Sequence, residues 1–534
     1  MKRLKQLIQF VGSTHLGEVT DVALANLQAD SRQLEKADVF IALQGLQNHG
    51  LDYLQQALEA KIACVLCDRR LTESEQACLD AHAKTAEQPM VTVLVVEDVQ
   101  VRLANMANWF YEQPSQKLKV VGVTGTNGKT STANYIAQLL LQLEQQPALI
   151  GTLGNGLMKD GLEMSLEKAV NTTPDVVTVF RLLNQFYQQG ANWVIMEVSS
   201  HALALGRIKE VEFSAVALTQ VTRDHLDFHG SEANYHQAKM KLFTDYISRV
   251  QILNGNDAVA QTILDRVKLS NPFAYSFVPN PQARLQCLKH ELSVSGIALD
   301  LAFQSVDESN NQIIESEQAC LRLMGSFNIE NVLCAMSVLL ASGFKWQVVL
   351  PLLANLNAVN GRMHKVATRP TVIVDFAHTP DALQQVLQAL APHLTDRMEG
   401  DKLTGQSCSD SSGSNVWVVF GCGGDRDRGK RPLMAQIAEK YADKVVLTSD
   451  NPRFENLGQI MADTMAGFKM PNRVEVIEPR QKAIEYALSH AGASDVVLIA
   501  GKGHENYQDI AGVKQPFSDQ GVVLNWMKQR THVN

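Results

Sequence analysis

The sequence predicts an α/β protein made of three successive α/β segments, and three observations carry that prediction. Short apolar runs alternate with stretches of helical spacing along most of the chain. Several of these runs are continuously apolar, the pattern of parallel strands covered on both faces. At 534 residues the chain also exceeds what one ordinary core organises.

In the first segment, strands are expected at 38–43 (DVFIAL), 63–66 (ACVL) and 91–96 (VTVLVV), with helical spacing in Tyr53–Leu58. The polar break Tyr111-Glu112-Gln113-Pro114-Ser115-Gln116 reads as a linker. The second segment has strands expected at 119–124, 193–198, 215–218 and 250–253, and residues 284–325 read as a small, irregular antiparallel appendage. A third α/β segment begins near Gly361, with strands expected at 371–375, 416–420, 444–448 and 495–500. The Ser/Gly-rich stretch 396–415 cannot bury a core and reads as a mobile surface insertion. The expected domains are 1–112, 117–360 and 361–534.

Composition narrows the function class. A net charge of -8 argues against general nucleic-acid binding. The eight cysteines are scattered, and the C-x-x-C of Cys64 and Cys67 lies inside an apolar run, so it reads as a buried strand in a reducing, cytoplasmic protein. The basic start Met1-Lys2-Arg3 leads into no apolar signal region, and no run approaches the roughly 18 apolar residues of a membrane span.

Chemistry enters at Gly125-Thr126-Asn127-Gly128-Lys129-Thr130, which lies between a strand and the helical stretch starting at Ser131. Backbone N–H groups of such a turn cradle phosphates, Lys129 reaches the β/γ-phosphates of ATP, and the Thr130 hydroxyl suits Mg²⁺. The strict pattern for such loops is not met, because Val123 stands five positions before Gly128. Glu197 ends another apolar strand, where α/β sites lie, and is an oxygen ligand suited to Mg²⁺. Beyond a third strand, Asp224-His225-Leu226-Asp227 concentrates ionisable groups.

These motifs together resemble the Mur ligases, and most of all their diaminopimelate-adding members. The resemblance spans nearly the whole chain. It runs through Asp30-Ser31-Arg32, the TGTNGKT loop, Asn171-Thr172-Thr173-Pro174, EVSSH, DHLDFHG, Tyr235-His236-Gln237-Ala238-Lys239 and GSFNIEN. It continues through DFAHTPD, GCGGDRD, Asp450-Asn451-Pro452-Arg453 and GKGHE. It implies an N-terminal domain for the UDP end of the substrate, a central P-loop ATPase with a parallel sheet, and a C-terminal Rossmann-like domain for the incoming amino acid. The implied reaction adds meso-diaminopimelate to UDP-N-acetylmuramoyl-L-Ala-D-Glu during peptidoglycan synthesis. ATP phosphorylates the D-Glu γ-carboxylate, and the amine then attacks the acyl phosphate.

Site residues follow from the same resemblance. It implies catalytic roles for Lys129, Glu197, His225 and Lys239, with Gly125, Thr126, Asn127, Gly128, Thr130, Ser131, Asn328, Asn331, Arg362 and Asp375 holding ATP. Thr130 and Glu197 would hold one Mg²⁺, and His225 and Lys239 a second. Lys239 is expected to be carbamylated (N6-carboxylysine), since a free ammonium repels the metal. Ser31, Gln47, Asn48, Asn171, Thr172, Thr173, Ser199 and Arg207 match contacts to the UDP-muramoyl-dipeptide. Arg426, Asp450, Asn451, Pro452, Arg453, Gly501 and Glu505 match contacts to diaminopimelate. A guanidinium at 453 can grip the distal carboxylate that L-lysine lacks, while Glu505 suits the distal ammonium.

Departures from the family pattern are Leu205 at a substrate-contact position, Asn360 and His364 around Arg362, and Phe376 where Tyr is frequent. A monomer without nucleic-acid partners is expected. The alternatives are the same reaction with L-lysine and a folylpolyglutamate synthetase-like ligase. A regulatory protein without catalysis conflicts with the intact Lys129, Glu197, His225 and Lys239. A dinucleotide-dependent reductase conflicts with Arg426 at the third glycine position of Gly421-x-Gly423.

Overall fold

The computed structural model describes residues 2–12, 19–45, 48–85, 91–159, 171–293, 295–306, 312–394 and 414–531. Gln47 and residues 396–413 of the expected insertion lie outside them. By its contacts the chain divides into two compact units, the first holding residues 1–129, 140–252 and 258–272 and the second 130–139, 253–257 and 273–534.

The first unit opens with helix α1 (Leu4–Val11), then β1 (Leu27–Gln28), β2 (Val39–Ala42), α2 (Leu54–Glu59), β3 (Cys64–Cys67), α3 (Glu73–Thr85), β4 (Thr92–Val95) and α4 (Val99–Phe110). The strands form a parallel sheet in the order β1-β2-β3-β4. Both thiols of the C-x-x-C are buried in β3, and burial pushes Cys64 up to about 12 and Cys67 to about 11, so they serve as apolar packing. The expected linker is folded instead: Pro114–Lys117 is the short helix α5, started by a proline in its first turn, where the missing N–H costs nothing. Tyr111 before it is buried, and its hydroxyl accepts a hydrogen bond from Leu27 N at 3.1 Å.

The first unit continues with β5 (Lys119–Thr124), α6 (Lys129–Gln142), β6 (Pro147–Gly151), β7 (Gly154–Leu157), α7 (Val176–Gln188), β8 (Trp193–Glu197), α8 (Ser200–Ala204), β9 (Phe213–Leu218), α9 (Leu226–His229), α10 (Glu232–Thr244), β10 (Ser248–Asn254) and α11 (Ala258–Arg266), except that residues 130–139 of α6 and 253–254 of β10 belong to the second unit. Its strands run β10-β9-β5-β8-β6-β7, parallel except for the β6–β7 hairpin. Strand β8 is wholly buried and β5 nearly so, which explains their uninterrupted apolar letters.

In the second unit, β11 (Pro272–Ser276) pairs in parallel with β12 (Leu285–Ser293), which begins an antiparallel meander with β13 (Gly296–Val306) and β14 (Gln312–Leu321). The expected irregular appendage is therefore a set of long, registered strands with one irregularity between Cys287 and Lys289. Then come α12 (Phe327–Ala341), α13 (Trp346–Val349), β15 (His364–Thr368), β16 (Thr371–Asp375), α14 (Pro380–Leu390), β17 (Val416–Phe420), α15 (Lys430–Tyr441), β18 (Lys444–Leu447), α16 (Leu457–Met465), β19 (Val474–Val476), α17 (Arg480–His490), β20 (Val496–Ala500), the hairpin β21 (Tyr507–Ile510) and β22 (Val513–Pro516), and α18 (Asp519–Thr531).

Strands β15-β16-β20-β17-β18-β19 form one sheet, parallel except at β15. Alternate residues of its strands enter two separate cores. Val418, Phe420 and Leu498 pack with α14, α15 and α16, while Trp417, Val419 and Val497 pack with α17 and α18. A sheet buried on both faces leaves only its strand ends for chemistry.

Candidate active site

The phosphate loop leaves the end of β5 and is stitched to the chain after β9. Gly125 has φ +153°, and a Cβ there would lie 1.9 Å from Thr219 Oγ1, so only glycine fits. Thr219 Oγ1 donates to Asn127 O at 2.6 Å, and Thr126 N donates to Gln220 O at 2.7 Å. Thr126 Oγ1 donates to Thr222 O and accepts from Thr222 N, both at 3.0 Å. Lys129 folds back, its Nζ donating to Gly125 O and Thr126 O at 2.9 Å each. Thr130 and Ser131 start α6 and are buried.

Glu197, at the end of β8, is buried against Gly151 at the end of β6, where an added Cβ would meet Glu197 Oε1 at 2.3 Å. Thr152 N donates to Oε1 at 2.8 Å and Thr152 Oγ1 to Oε2 at 3.2 Å. Thr173 Oγ1 donates to Glu197 O at 2.8 Å and accepts from Ser199 N at 3.0 Å, and Arg207 Nη1 donates to Thr173 O at 2.9 Å. Thr152 and Thr172 share a hydroxyl contact at 3.1 Å. One network thus gathers Glu197, Thr172, Thr173, Ser199 and Arg207, while Asn171 is exposed beside it. Leu205 is also exposed. Thr152 is a member that motif reading missed; its signal is a Gly-Thr pair at the end of a strand neighbouring β8.

Beyond β9, His225 has φ +49° and is exposed. The His201 ring lies 4.8 Å from His225 and 4.2 Å from Phe228, centroid to centroid. Tyr235 and Lys239 share one face of α10. The Tyr235 hydroxyl is 2.7 Å from Thr126 Oγ1, and Lys239 Nζ lies 4.6 Å over the Tyr235 ring and donates to Gly125 O at 2.6 Å. Lys239 is buried, so the sequence-predicted lysine does meet the phosphate loop. Among the described residues no group of three His, Cys, Asp or Glu could hold a metal ion.

In the second unit, Asn328 and Asn331 are buried on α12 and joined at 3.1 Å. Tyr135 of α6 donates its hydroxyl to Asn328 Oδ1 at 3.0 Å. Asp375 closes β16 and accepts from Met363 N at 2.6 Å and Ala377 N at 2.8 Å. Burial raises its pKa, opposed by the Arg362 guanidinium and those two N–H groups. Arg362 lies 4.9 Å over the Phe376 ring, so the Phe that replaces the frequent Tyr still stacks on the cation.

The segment after β18 meets the segment after β20. Lys502, fully buried, donates to Asn451 Oδ1 and Glu505 Oε2 at 3.0 Å each, and Asn451 Nδ2 donates to Glu505 Oε2 at 2.9 Å. Arg453 Nη1 donates to Gly424 O, and Gly501 abuts Asp450. Buried Arg480 grips Asp519 through two hydrogen bonds of 2.7 and 2.8 Å, donates to Ala500 O at 2.9 Å, and lies 4.0 Å from Asp450. Asp450, Asn451, Arg453, Gly501 and Glu505 are therefore clustered, with Pro452 buried between them and Arg426 exposed. Arg480 is a support that motif reading missed, and Lys502, inside the GKGHE motif, is one to which it gave no role. A cavity of about 760 Å³ opens beside Arg453, walled by Pro452, Phe454 and Ile510. A cavity of similar size, about 750 Å³, is walled by Lys36, Lys61, Arg70 and Val93 and holds none of the predicted contacts.

Ser31 and Asn48 follow β1 and β2, two parallel strands, and so lie toward the same carboxyl edge of the N-terminal sheet. Ser31 opens a turn capped by Asp30, whose side chain accepts from Arg32 N. Asn48 Nδ2 donates to Tyr53 Oη at 3.0 Å. No helix among the described residues is long and apolar enough to cross a membrane.

Family models match along most of this length: "Mur ligase family, catalytic domain" at residues 24–111, "Mur ligase middle domain" at 123–339 and "Mur ligase, glutamate ligase domain" at 402–503. The UDP-N-acetylmuramoyl-L-alanyl-D-glutamate--2,6-diaminopimelate ligase of Haemophilus ducreyi is 39% identical over 98% of this chain and 100% of its own. That of Ectopseudomonas mendocina is 38% identical over 93% of this chain and 94% of its own. A solved structure titled as the same ligase is 31% identical, covers 98% of this chain and 99% of its own, and has a TM-score of 0.64. With relatives this similar from end to end, the chain belongs to the Mur ligase family.

Proposed function

We propose that the protein joins meso-diaminopimelate to UDP-N-acetylmuramoyl-L-Ala-D-Glu, cleaving ATP to ADP and phosphate. The observation that carries this reading is the 39% identity, along 98% of this chain, with a ligase named for that substrate. The cluster of Asp450, Asn451, Arg453, Gly501 and Glu505 supports it. Arg453 offers a second nitrogen to the distal carboxylate, and Glu505, held on one oxygen by Lys502 and Asn451, can take the distal ammonium on the other. L-lysine has no distal carboxylate, which disfavours the lysine reading. A folylpolyglutamate synthetase-like ligase has no use for this cluster.

The γ-carboxylate of D-Glu becomes electrophilic only when one oxygen is turned into a leaving group. Lys129 would exchange its two carbonyl partners for the β/γ-phosphates as the phosphoryl group moves. Thr152 N–H and hydroxyl hold the Glu197 carboxylate, and Asn328, Asn331, Arg362 and Asp375 would help to hold ATP. The chemistry of the donors the resemblance implies suits Mg²⁺: Thr130 and Glu197 carry hard oxygens, and Lys239, once carbamylated, would carry a carboxylate, with His225 as the further ligand. Bound there, Mg²⁺ would neutralise phosphate charge during transfer.

We further assign 1–112 to the UDP end, with Ser31, Gln47 and Asn48; 117–360 to ATP and the muramoyl dipeptide; and 361–534 to the amino acid. A cytoplasmic monomer is the matching state, since the nucleotide substrates are made there. The test is phosphate release with ATP, the UDP-dipeptide and a panel of amino acids. Release should require the dipeptide and be far faster with meso-diaminopimelate; equal turnover with L-lysine refutes the assignment.

A further inference from the structure

We propose that His378 is the general base that removes a proton from the incoming amine. The inference rests on the ligase reading above and adds a group that touches the nucleophile.

His378 stands just beyond β16, in the turn before α14. It is exposed, and its Nδ1 lies 2.8 Å from the carbonyl oxygen of Phe376. A carbonyl can only accept, so Nδ1 carries the hydrogen and the lone pair is on Nε2. The Phe376 ring packs edge-on against the imidazole at 4.6 Å and is itself held by Arg362 and His504. Tautomer and ring position are therefore both set before substrate arrives.

Its place in the unit suits the task. The chain carrying it begins at Asp375, on the nucleotide side. From the amino-acid side, Lys430 Nζ of α15 donates to the His378 carbonyl oxygen at 3.0 Å, and Lys430 is within electrostatic reach of Arg426 and Asp450. The charged groups facing the imidazole are Lys430 from α15, Arg362 from the turn before β15 and Asp450 from the turn after β18, with His504 behind Phe376. The surrounding protein disfavours the imidazolium most, Lys430 and Arg362 add to that, and the Phe376 carbonyl and Asp450 oppose it. The net shift is downward, tempered by the ring's exposure to solvent, and the tautomer set by the Phe376 carbonyl is what leaves the Nε2 lone pair free to act.

The amino acid arrives as an ammonium with no lone pair. His378 Nε2 takes one proton, and the freed nitrogen pair attacks the carbonyl carbon of the acyl phosphate. The C–N bond forms as the carbonyl π pair moves onto oxygen. On collapse the C–O bond to the phosphoryl group breaks, and phosphate leaves with the second nitrogen proton. His378 then returns its proton to water.

The test compares two nucleophiles on the full chain with ATP and the UDP-dipeptide: diaminopimelate, and hydroxylamine, which is already unprotonated near neutral pH and needs no base. His378→Asn retains an N–H to donate to Phe376 O, and His378→Gln is the second variant. Both should slow amide formation with diaminopimelate by about 10²–10⁴-fold, and remove the acid limb of its pH profile, while hydroxamate formation stays within about threefold of wild type. Equal losses with both nucleophiles, full activity with diaminopimelate, or a retained acid limb in the two variants would overturn the proposal. A wild-type protein that makes hydroxamate but no diaminopimelate product would instead contradict the substrate assignment, and the comparison would then be made with the amino acid it does use.

Discussion

Arg480→Met should destabilise the C-terminal sheet severely, and the size of the effect can be worked from its contacts. Arg480 and Asp519 are both fully shielded from water, so solvent offers no compensation. The substitution leaves a buried carboxylate without its bidentate partner, and two carbonyls, of Ala500 and Ser449, lose a donor. Breaking one side of such a pair costs about 3–5 kcal/mol. For a cooperative unit of the size expected at 361–534, each kcal/mol lowers the melting point by about 2–4 °C, so the first transition should fall by about 6–20 °C. Differential scanning calorimetry reads this directly. Arg480→Met with Asp519→Asn should lose at least about 2 kcal/mol less than the sum of the single variants, because the stranded charge is gone. A single variant melting within about 2 °C of wild type would refute the reasoning.

Other perturbations address the site. Gly151→Ala places a methyl on the Glu197 carboxylate; losing the charged hydrogen bond from Thr152 N at about 1.5–3 kcal/mol should reduce kcat/KM about 10–160-fold, with a raised Mg²⁺ requirement, in a Mg²⁺ titration of the rate. Lys239→Ala should abolish turnover, with partial rescue by short carboxylic acids and none by bicarbonate; unchanged activity would exclude carbamylation at this lysine. Arg453→Lys should raise the KM for diaminopimelate about tenfold or more, since a point charge cannot make the paired hydrogen bonds of a guanidinium, while the KM for ATP holds.

What was legible in the sequence follows from how each part is specified. Val416–Phe420 and Thr371–Asp375 announce themselves because both faces of the sheet are buried, so every letter but the closing Asp375 is apolar or Thr. The β6–β7 hairpin is hidden because Pro147, Gly151, Gly154 and Gly156 read as breakers, although here they are strand residues. The stretch 111–116 misleads because its polar letters mask a buried Tyr111 and a proline that starts a helix. In the site, groups at strand ends belong to contiguous motifs and can be found in one pass. Thr152 and Arg480 act on partners distant in sequence, Glu197 and Asp519, and no local pattern records that.

The two-sided packing of the C-terminal sheet has a consequence for change over generations. Residues that fill its cores alternate along the strands, whereas Asp375, Asp450 and Gly501 stand at the strand ends or just past them. A substitution in those end loops can alter which amino acid is welcomed without opening a void in either core. Substrate choice and fold maintenance are thus written on separable letters, and a lineage can revise the first while the second stays intact.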